Sequence, residues 1–391
     1  MLNFEFLSPT KIFFGRGVEN QVGDLLKQYG ATKVLLHYGG GSVKRTGLFD
    51  RVVDSLKAAG VEFVELGGVK PNPRLSLVYE GIKLCKETGV DFLLAVGGGS
   101  VIDSTKAIAH GLQYDGDVWD FFCGKATVQK STPVATILTI PAAGSEGSNS
   151  CVITNENGNI KRGCSTELNR PVFSLLNPEL CATLPKNQVA NGASDIIAHA
   201  MERYFTNTTN VDITDRLTEG LIRTVMENAP KCYKDPSDYE PMAQLVWCST
   251  LAHNNILGVG RVQDWASHNI EHELSGVYDI PHGAGLSIIF PAWMKYNYKH
   301  DIPRFCQFAN KVFDITIDPF DMEGTALRAI DALEKWYKSL DLPTRLSEVG
   351  IGEDRLMEMA NNVKKPNGDG TIGGFVKLSS EDCYNIYKLA L

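Results

Sequence analysis

Asp195 and His199 stand four residues apart in the stretch Asp195-Ile196-Ile197-Ala198-His199-Ala200-Met201-Glu202. On a helix that spacing puts both side chains on one face, one turn apart. His268 and His272 repeat it farther along, and His282 follows in Ile280-Pro281-His282-Gly283-Ala284-Gly285, which reads as a connecting segment. The chain has only eight histidines, and three of them fall between residues 268 and 282. One carboxylate with three imidazoles suits Fe2+ or Zn2+, both of which accept mixed nitrogen and oxygen ligands. Taken singly, each histidine reads as a hydrogen-bonded core or surface residue, so the metal reading rests on the joint pattern. Spacing leaves open which three of His199, His268, His272 and His282 would bind.

A second chemistry belongs to glycine. Two apolar runs, Thr32–Tyr38 and Phe92–Val96, each end in Gly-Gly-Gly-Ser, at Gly39-Gly40-Gly41-Ser42 and Gly97-Gly98-Gly99-Ser100. Glycines at a strand's carboxyl end let backbone N–H groups approach a ligand closely. A following helix start adds further donors and a dipole that favours an anion. Ser42 and Ser100 are placed to cap those helices or to contact a phosphate. The usual Gly-x-Gly-x-x-Gly fingerprint is absent, so the loops point to a variant Rossmann-like site; purely structural turns are the competing reading. No carboxylate closes the first strand, while Lys44 and Arg45 follow closely, which favours NADP(H) over NAD(H).

Those loops need strands alternating with helices. Strands are expected at 32–38, 61–66, 92–96 and 134–140, with helices at 48–59, 75–87 and from 101 onward, the pattern of a parallel sheet covered on both faces. From about Pro185 the texture changes to three- and four-residue periodicity, giving helices at 213–228, 242–256, 264–274, 304–312 and 324–339. The expected architecture is α/β plus all-α. An N-terminal Rossmann-like parallel-sheet domain (1–184) precedes a C-terminal all-helical metal-binding domain (185–391).

Bulk properties narrow the partners. The formal charge of −8 is spread along the chain, and no Lys/Arg cluster offers a nucleic-acid footprint. No apolar run approaches the length a bilayer requires, and the first nine residues lack a basic leader region. Nine scattered cysteines without a Cys-x-x-Cys pair read as reduced thiols of a cytoplasmic protein.

The residues together resemble the iron-containing alcohol dehydrogenases. Leu184-Pro185, Asn191-Gly192-Ala193-Ser194-Asp195, His199 and Glu202 resemble that family's first signature region. Gly276-Val277-Tyr278-Asp279-Ile280-Pro281-His282-Gly283, preceded by His268 and His272, resembles the second. Gly97 to Asp103 and Gly144-Ser145-Glu146 match as well, and Gln263-Asp264-Trp265-Ala266-Ser267-His268 is similar to the NADPH-dependent butanol dehydrogenase and aldehyde reductase branch. The resemblance runs from end to end. It implies a divalent metal on Asp195, His199, His268 and His282, with His272 close to the metal and nicotinamide without being a ligand, where an imidazole is a candidate to pass a proton to the substrate oxygen. It also implies dinucleotide contacts at the two glycine loops (Gly39, Gly40, Gly41, Ser42, Gly98, Gly99, Ser100), Asp103, Thr139, Asn149 and Lys161; Lys44, as a cation beside the first loop, is added from the residues themselves. The site it implies lies in the cleft between the two domains. Two departures, Asn177 where an acidic residue is usual and a Thr139-Ile140-Pro141-Ala142-Ala143-Gly144 turn poor in threonine, concern only the cofactor side.

The activity implied is interconversion of aldehydes and short-chain primary alcohols such as butanol, in a homodimer. Trp119, Phe121, Phe122, Cys151 and Trp265 are candidates to line an apolar substrate pocket. The alternatives are a glycerol or other polyol dehydrogenase, a dehydroquinate-synthase-like lyase, and a nucleotide-binding protein with a structural metal. The last is disfavoured because structural zinc shells are usually thiolate-rich.

Overall fold

Residues 1–391 are described by a computed structural model. The chain forms two compact units, Leu7–Leu184 and Pro185–Leu391, and Met1–Phe6 belongs with the second. That assignment has a local cause. The terminal ammonium donates to Thr209 O at 3.0 Å and Leu2 N to Gly260 O at 2.8 Å.

The first unit runs β1 (Lys11–Phe14), α1 (Val22–Gln28), β2 (Lys33–Gly39), α2 (Ser42–Arg45), α3 (Leu48–Ala59), β3 (Glu62–Val69), α4 (Leu75–Thr88), β4 (Phe92–Gly97), α5 (Gly99–Gly111), α6 (Trp119–Phe122), β5 (Val134–Leu138), β6 (Ser150–Asn155), β7 (Ile160–Ser165) and β8 (Phe173–Leu176). Six strands form one sheet in the order β1-β8-β5-β4-β2-β3, every pair parallel. Successive side chains point to opposite faces. Leu36 and Leu94 therefore join one core with α1 and α3, whereas Leu35 and Leu93 join another with α4 and α5. Burial on both faces is why these strands read as continuous apolar runs. The antiparallel hairpin β6–β7 lies outside that sheet and was not legible in the sequence.

Because β2, β4 and β5 are adjacent and parallel, their carboxyl ends share one edge, with Tyr38 beside Val96 and Gly97 beside Leu138. Both glycine loops and Thr139 sit there, in the place where open α/β sheets bind ligands. The glycines are needed for different reasons. Gly41 takes a left-handed φ of 102°. A Cβ on Gly97 would lie 2.5 Å from Val101 Cγ2, so its bareness lets α5 start directly over the strand. Neither serine caps its helix: the N-caps are Gly41 and Gly98, and Ser42 and Ser100 fall inside the first turns.

The second unit contains α7 (Lys186–Tyr204), α8 (Asp212–Lys234), α9 (Tyr239–His253), α10 (Ala266–Tyr278), α11 (His282–Asn297), α12 (Ile302–Phe313), α13 (Met322–Ser339), α14 (Leu356–Asn362) and α15 (Ser380–Leu389). Helix α11 corrects one expectation: His282 is its first residue and not part of a connector. Pro281, at φ −59°, is its N-cap. The helix is nearly all buried, so it lacks the polar stripe that betrays a helix in sequence. No helix is long and apolar enough to cross a membrane.

Candidate metal centre

Helix α7 carries Asp195, His199 and Glu202 at four- and three-residue intervals, hence on one face. Helix α10 carries His268, Glu271 and His272, and α11 begins with His282. Close approach is allowed by bare glycines. A Cβ on Gly283 would meet Asn191 O of α7 at 2.0 Å, and one on Gly285 would meet Glu271 Oε1 at 2.4 Å. The Pro281-His282-Gly283-Ala284-Gly285 run is thus a close-packing device as well as the carrier of a ligand candidate.

The donors converge on Asp195 Oδ1. His199 Nε2 lies 3.3 Å from it, His282 Nε2 3.8 Å and His268 Nε2 3.9 Å. Tetrahedral ligands about 2.1 Å from an ion stand roughly 3.4 Å apart, so each of these spacings to Asp195 suits a shared ion, and the ligand atoms of Asp195, His268 and His282 lie within 4.8 Å of one another. Asp195 Oδ1 and His268 Nε2 are buried without any hydrogen-bond partner. Such groups are costly unless something else satisfies them. A divalent ion does so, and the residues present fit one.

Behind the imidazoles stands a second set of groups. Glu202, fully buried, accepts from His268 Nδ1 at 2.8 Å and from His268 N at 2.9 Å. Glu271, also fully buried, pairs with His282 Nδ1 and takes a hydrogen bond from the Ser275 hydroxyl. His199 Nδ1 faces His253 Nδ1 at 2.8 Å. Partners of this kind fix the orientation of a ring whose other nitrogen can bind a metal. Glu271 and His253 had no part in the sequence reading. Glu202 entered it only as part of a signature.

Electrostatics follow from this crowding. Burial works against the Asp195 carboxylate, but the three imidazoles hold it well below the usual range. Burial brings His199 down to about 3, with Asp195 opposing. Burial also acts to lower His268, yet Asp195 and Glu202 hold it up at about 9. Asp264 is pushed up to about 8 by burial and then by the charge on Glu202.

Trp265 is bound up with the same groups. Its ring centroid lies 5.2 Å from His268, 5.7 Å from His199 and 5.7 Å from His253. The Arg203 guanidinium stands 4.6 Å from its ring centroid. Its φ of 66° is an unusual conformation for an aromatic residue. It delays α10 to Ala266, two residues later than the periodicity suggested. Asp264 anchors the bend by accepting from Gly374 N and Phe375 N at 2.8 and 2.9 Å. His272, half-buried and one turn beyond His268, belongs to a cluster with Glu271 and His282 whose ligand atoms lie within 4.8 Å of one another.

The cofactor-side candidates all lie in the first unit. Thr139 N donates to Gly97 O at 3.1 Å, tying β5's end to the second glycine loop. Asp103 accepts from Ser145 Oγ at 2.6 Å and Val152 N at 2.9 Å, so it braces the 145–152 segment. Asn149 Nδ2 donates to Glu167 Oε1 at 2.7 Å, and Lys161 is buried in β7. Lys44 does not stand as an open cation. Glu65 of β3 accepts from Lys44 Nζ at 3.0 Å and from the Tyr38 hydroxyl at 2.8 Å. Tyr38 and then Lys44 draw the Glu65 carboxyl down, and Tyr38 and then Glu65 draw the Lys44 ammonium up. Glu65, opposite Leu36 in the β2–β3 register, thus puts a carboxylate beside Lys44 although the first strand's end carries none. Four pocket candidates are also reassigned: Phe121, Phe122 and Cys151 are buried in the core beneath α4 and α5, and Trp119 stacks on Phe122 at 5.4 Å.

A parallel sheet with two glycine loops on its carboxyl edge and a helical unit with a carboxylate–imidazole shell are the two parts of a metal-dependent dehydrogenase. Residues 9–178 match the model of iron-containing alcohol dehydrogenases, and 189–391 that of the C-terminal domain of the Fe-containing alcohol dehydrogenase family. The chain belongs to this family, whose members require a nicotinamide cofactor and a divalent metal. It is 44% identical over 391 residues, all of both chains, to a probable NADH-dependent butanol dehydrogenase of Bacillus subtilis. It is 38% identical over 357 residues, 90% of each, to the NADPH-dependent aldehyde reductase YqhD of Escherichia coli. The crystal structure of NADH-dependent butanol dehydrogenase A from Thermotoga maritima superposes with a TM-score of 0.96 at 43% identity, covering 100% of this chain and 99% of that one.

Proposed function

We propose that Asp195, His199, His268 and His282 hold one divalent ion, Fe2+ or Zn2+, and that the chain interconverts short-chain aliphatic aldehydes and primary alcohols. The reaction is aldehyde + NAD(P)H + H+ ⇌ alcohol + NAD(P)+. The observation that carries this is the convergence of three Nε2 atoms on Asp195 Oδ1, with two of the four donors left unsatisfied by the protein.

When bound, the ion supplies a Lewis acid for the carbonyl oxygen and the nicotinamide supplies the hydride. The chain's own residues do the rest. Glu202 and Glu271 hold the His268 and His282 rings in one orientation. His272, on the same face of α10 as His268 and partly open, moves the proton to or from the substrate oxygen. Trp265 gives the shell an apolar wall on the His199–His268 side, consistent with apolar substrates. Gly98, Gly99 and the start of α5 offer N–H donors to the dinucleotide phosphates.

For the nicotinamide, the reading of NADP(H) rests on a first strand that ends without a carboxylate and on Lys44 and Arg45 as cations beside it. With Lys44 held by Glu65, we infer that NADH is used and that NADPH competes for the same site without a strong advantage. Relatives at 44% and 38% identity are named for NADH and NADPH respectively, so both cofactors occur among proteins this similar.

The test is oxidation of NADH and NADPH with butanal before chelation, after it, and after adding back Fe2+ or Zn2+. Loss on chelation and recovery with metal are expected. Turnover undiminished in metal-free protein overturns the assignment.

A further inference from the structure

The three imidazoles of the shell do not have equivalent supports. His268 and His282 each direct Nδ1 at a fully buried carboxylate, Glu202 and Glu271. His199 directs Nδ1 at another imidazole, that of His253, the last residue of α9. The two rings meet edge to face, with centroids 4.0 Å apart and an interplanar angle of 79°. Both are buried, and Trp265 lies 5.7 Å from each. Arg203, one turn along α7, donates from Nη1 to His199 O at 2.8 Å.

Two ring nitrogens 2.8 Å apart hold one hydrogen between them: one donates and the other accepts. His199 Nε2 is turned toward Asp195, 3.3 Å from its Oδ1. With Nε2 presenting its lone pair to a cation, the hydrogen of His199 sits on Nδ1, so His199 donates and His253 accepts. His253 therefore carries its own hydrogen on Nε2. The contact selects the tautomer and ring plane of His199, as the carboxylates do for the other two, but with an uncharged acceptor.

We propose that His253 is a positioning residue for the ligand His199, fixing the tautomer that leaves Nε2 open to the ion and thereby setting metal affinity. The proposal rests on the four-residue metal site described above. It does not make His253 a ligand or a catalytic residue. Its consequence is that an uncharged side chain at the end of α9, more than fifty residues from His199 in sequence, governs how tightly the ion is held.

The experiment is a chelator competition for Zn2+ on the full-length protein, together with the visible spectrum of the Co2+-substituted form. Wild type, His253→Leu, His253→Asn and Asp195→Ala are compared. Losing a partner of this kind weakens metal affinity by about 10–100-fold. His253→Leu is expected to show that loss and a shifted Co2+ spectrum. His253→Asn, whose amide oxygen can accept from His199 Nδ1, is expected to recover most of the affinity. A His253→Leu protein that binds Zn2+ as tightly as wild type overturns the proposal. So does a His253→Asn protein no better than His253→Leu when both melt cooperatively in the metal-free form. Asp195→Ala separates the two levels of the argument: if it too binds as wild type, the metal site itself is wrong and the proposal falls with it.

Discussion

Adding one methyl group at Gly283 is expected to unseat the imidazole next to it. A Cβ there would lie 2.0 Å from Asn191 O, 2.6 Å from Asn191 C and 2.7 Å from Asn191 Cα, all backbone atoms of α7. Ordinary contact begins at 3.4 Å, and a helix backbone has no rotamer by which to yield. The first turn of α11 must retreat from α7 by on the order of 1 Å. Asp195 is one turn along α7 from Asn191, and His282 immediately precedes Gly283, so the retreat opens the 3.8 Å spacing between Asp195 Oδ1 and His282 Nε2. Metal sites tolerate about 0.2 Å in ligand distance, several times less than this. The 2.7 Å hydrogen bond from Ser194 Oγ to Gly283 O is strained by the same movement. Overpacking of this kind costs about 1–3 kcal/mol. The assay pairs Zn2+ competition with thermal melts of metal-free Gly283→Ala. Affinity should fall by at least about 100-fold, beyond the usual loss of a supporting residue. Gly220→Ala is the control. It sits exposed within α8 with open space where the Cβ would go, so it should stabilise by about 0.5–1 kcal/mol and leave metal binding alone. Wild-type metal affinity in Gly283→Ala would refute the claim that close α7–α11 packing places His282.

Three further outcomes follow from the first unit. Glu65→Gln removes the carboxylate that holds Lys44 and should raise the NADPH-to-NADH ratio of kcat/KM by about tenfold, with a parallel change in nucleotide dissociation constants; an unchanged ratio would show that Lys44 does not face the ribose 2′ position. Burial lowers His37 and His110 to about 4, against their bonds to Leu66 O and Asn169. The unfolded chain takes up those protons near pH 6.5 while the folded one does not, so stability should drop between pH 6.5 and 4 by up to ~3 kcal/mol per histidine. His110→Gln should flatten that slope in urea titrations, and an unaltered slope would contradict the assignment. Lys106 is fully buried and donates to Ser145 O, Ser148 O and Ser150 O at 2.7, 3.2 and 2.9 Å. Lys106→Met should cost on the order of 3 kcal/mol in melts and weaken NADH binding by loosening the segment that carries Asn149, whereas unchanged binding would mean that the brace has no bearing on the cofactor.

Much of the fold was legible because burial on both sheet faces leaves apolar strands punctuated by glycine, and the change to helical spacing near Pro185 is abrupt. The ligand candidates were legible because histidine is scarce here and pairs of chemistry-bearing residues recur at helical spacing. Their supports were not. Glu202 and Glu271 look like surface carboxylates of amphipathic helices, and only the folded chain shows them fully buried against imidazoles. His253 pairs with a residue from a different helix, and Glu65 reaches Lys44 from a neighbouring strand, so no local pattern announces either contact. Helix α11 was hidden by its uniform burial and by Pro291 within it. The aromatic run at Trp119, Phe121 and Phe122 looked like a pocket lining because apolar composition cannot distinguish a wall facing a ligand from one facing the core.

The measurement closest to the central claim is metal content against turnover for wild type, Asp195→Ala and His282→Ala, each purified, metal-loaded and assayed with butanal. One divalent ion per wild-type chain is expected, with ion and turnover lost together in both variants while their metal-free melts remain cooperative. Full aldehyde reduction by a variant that retains no ion would contradict the account.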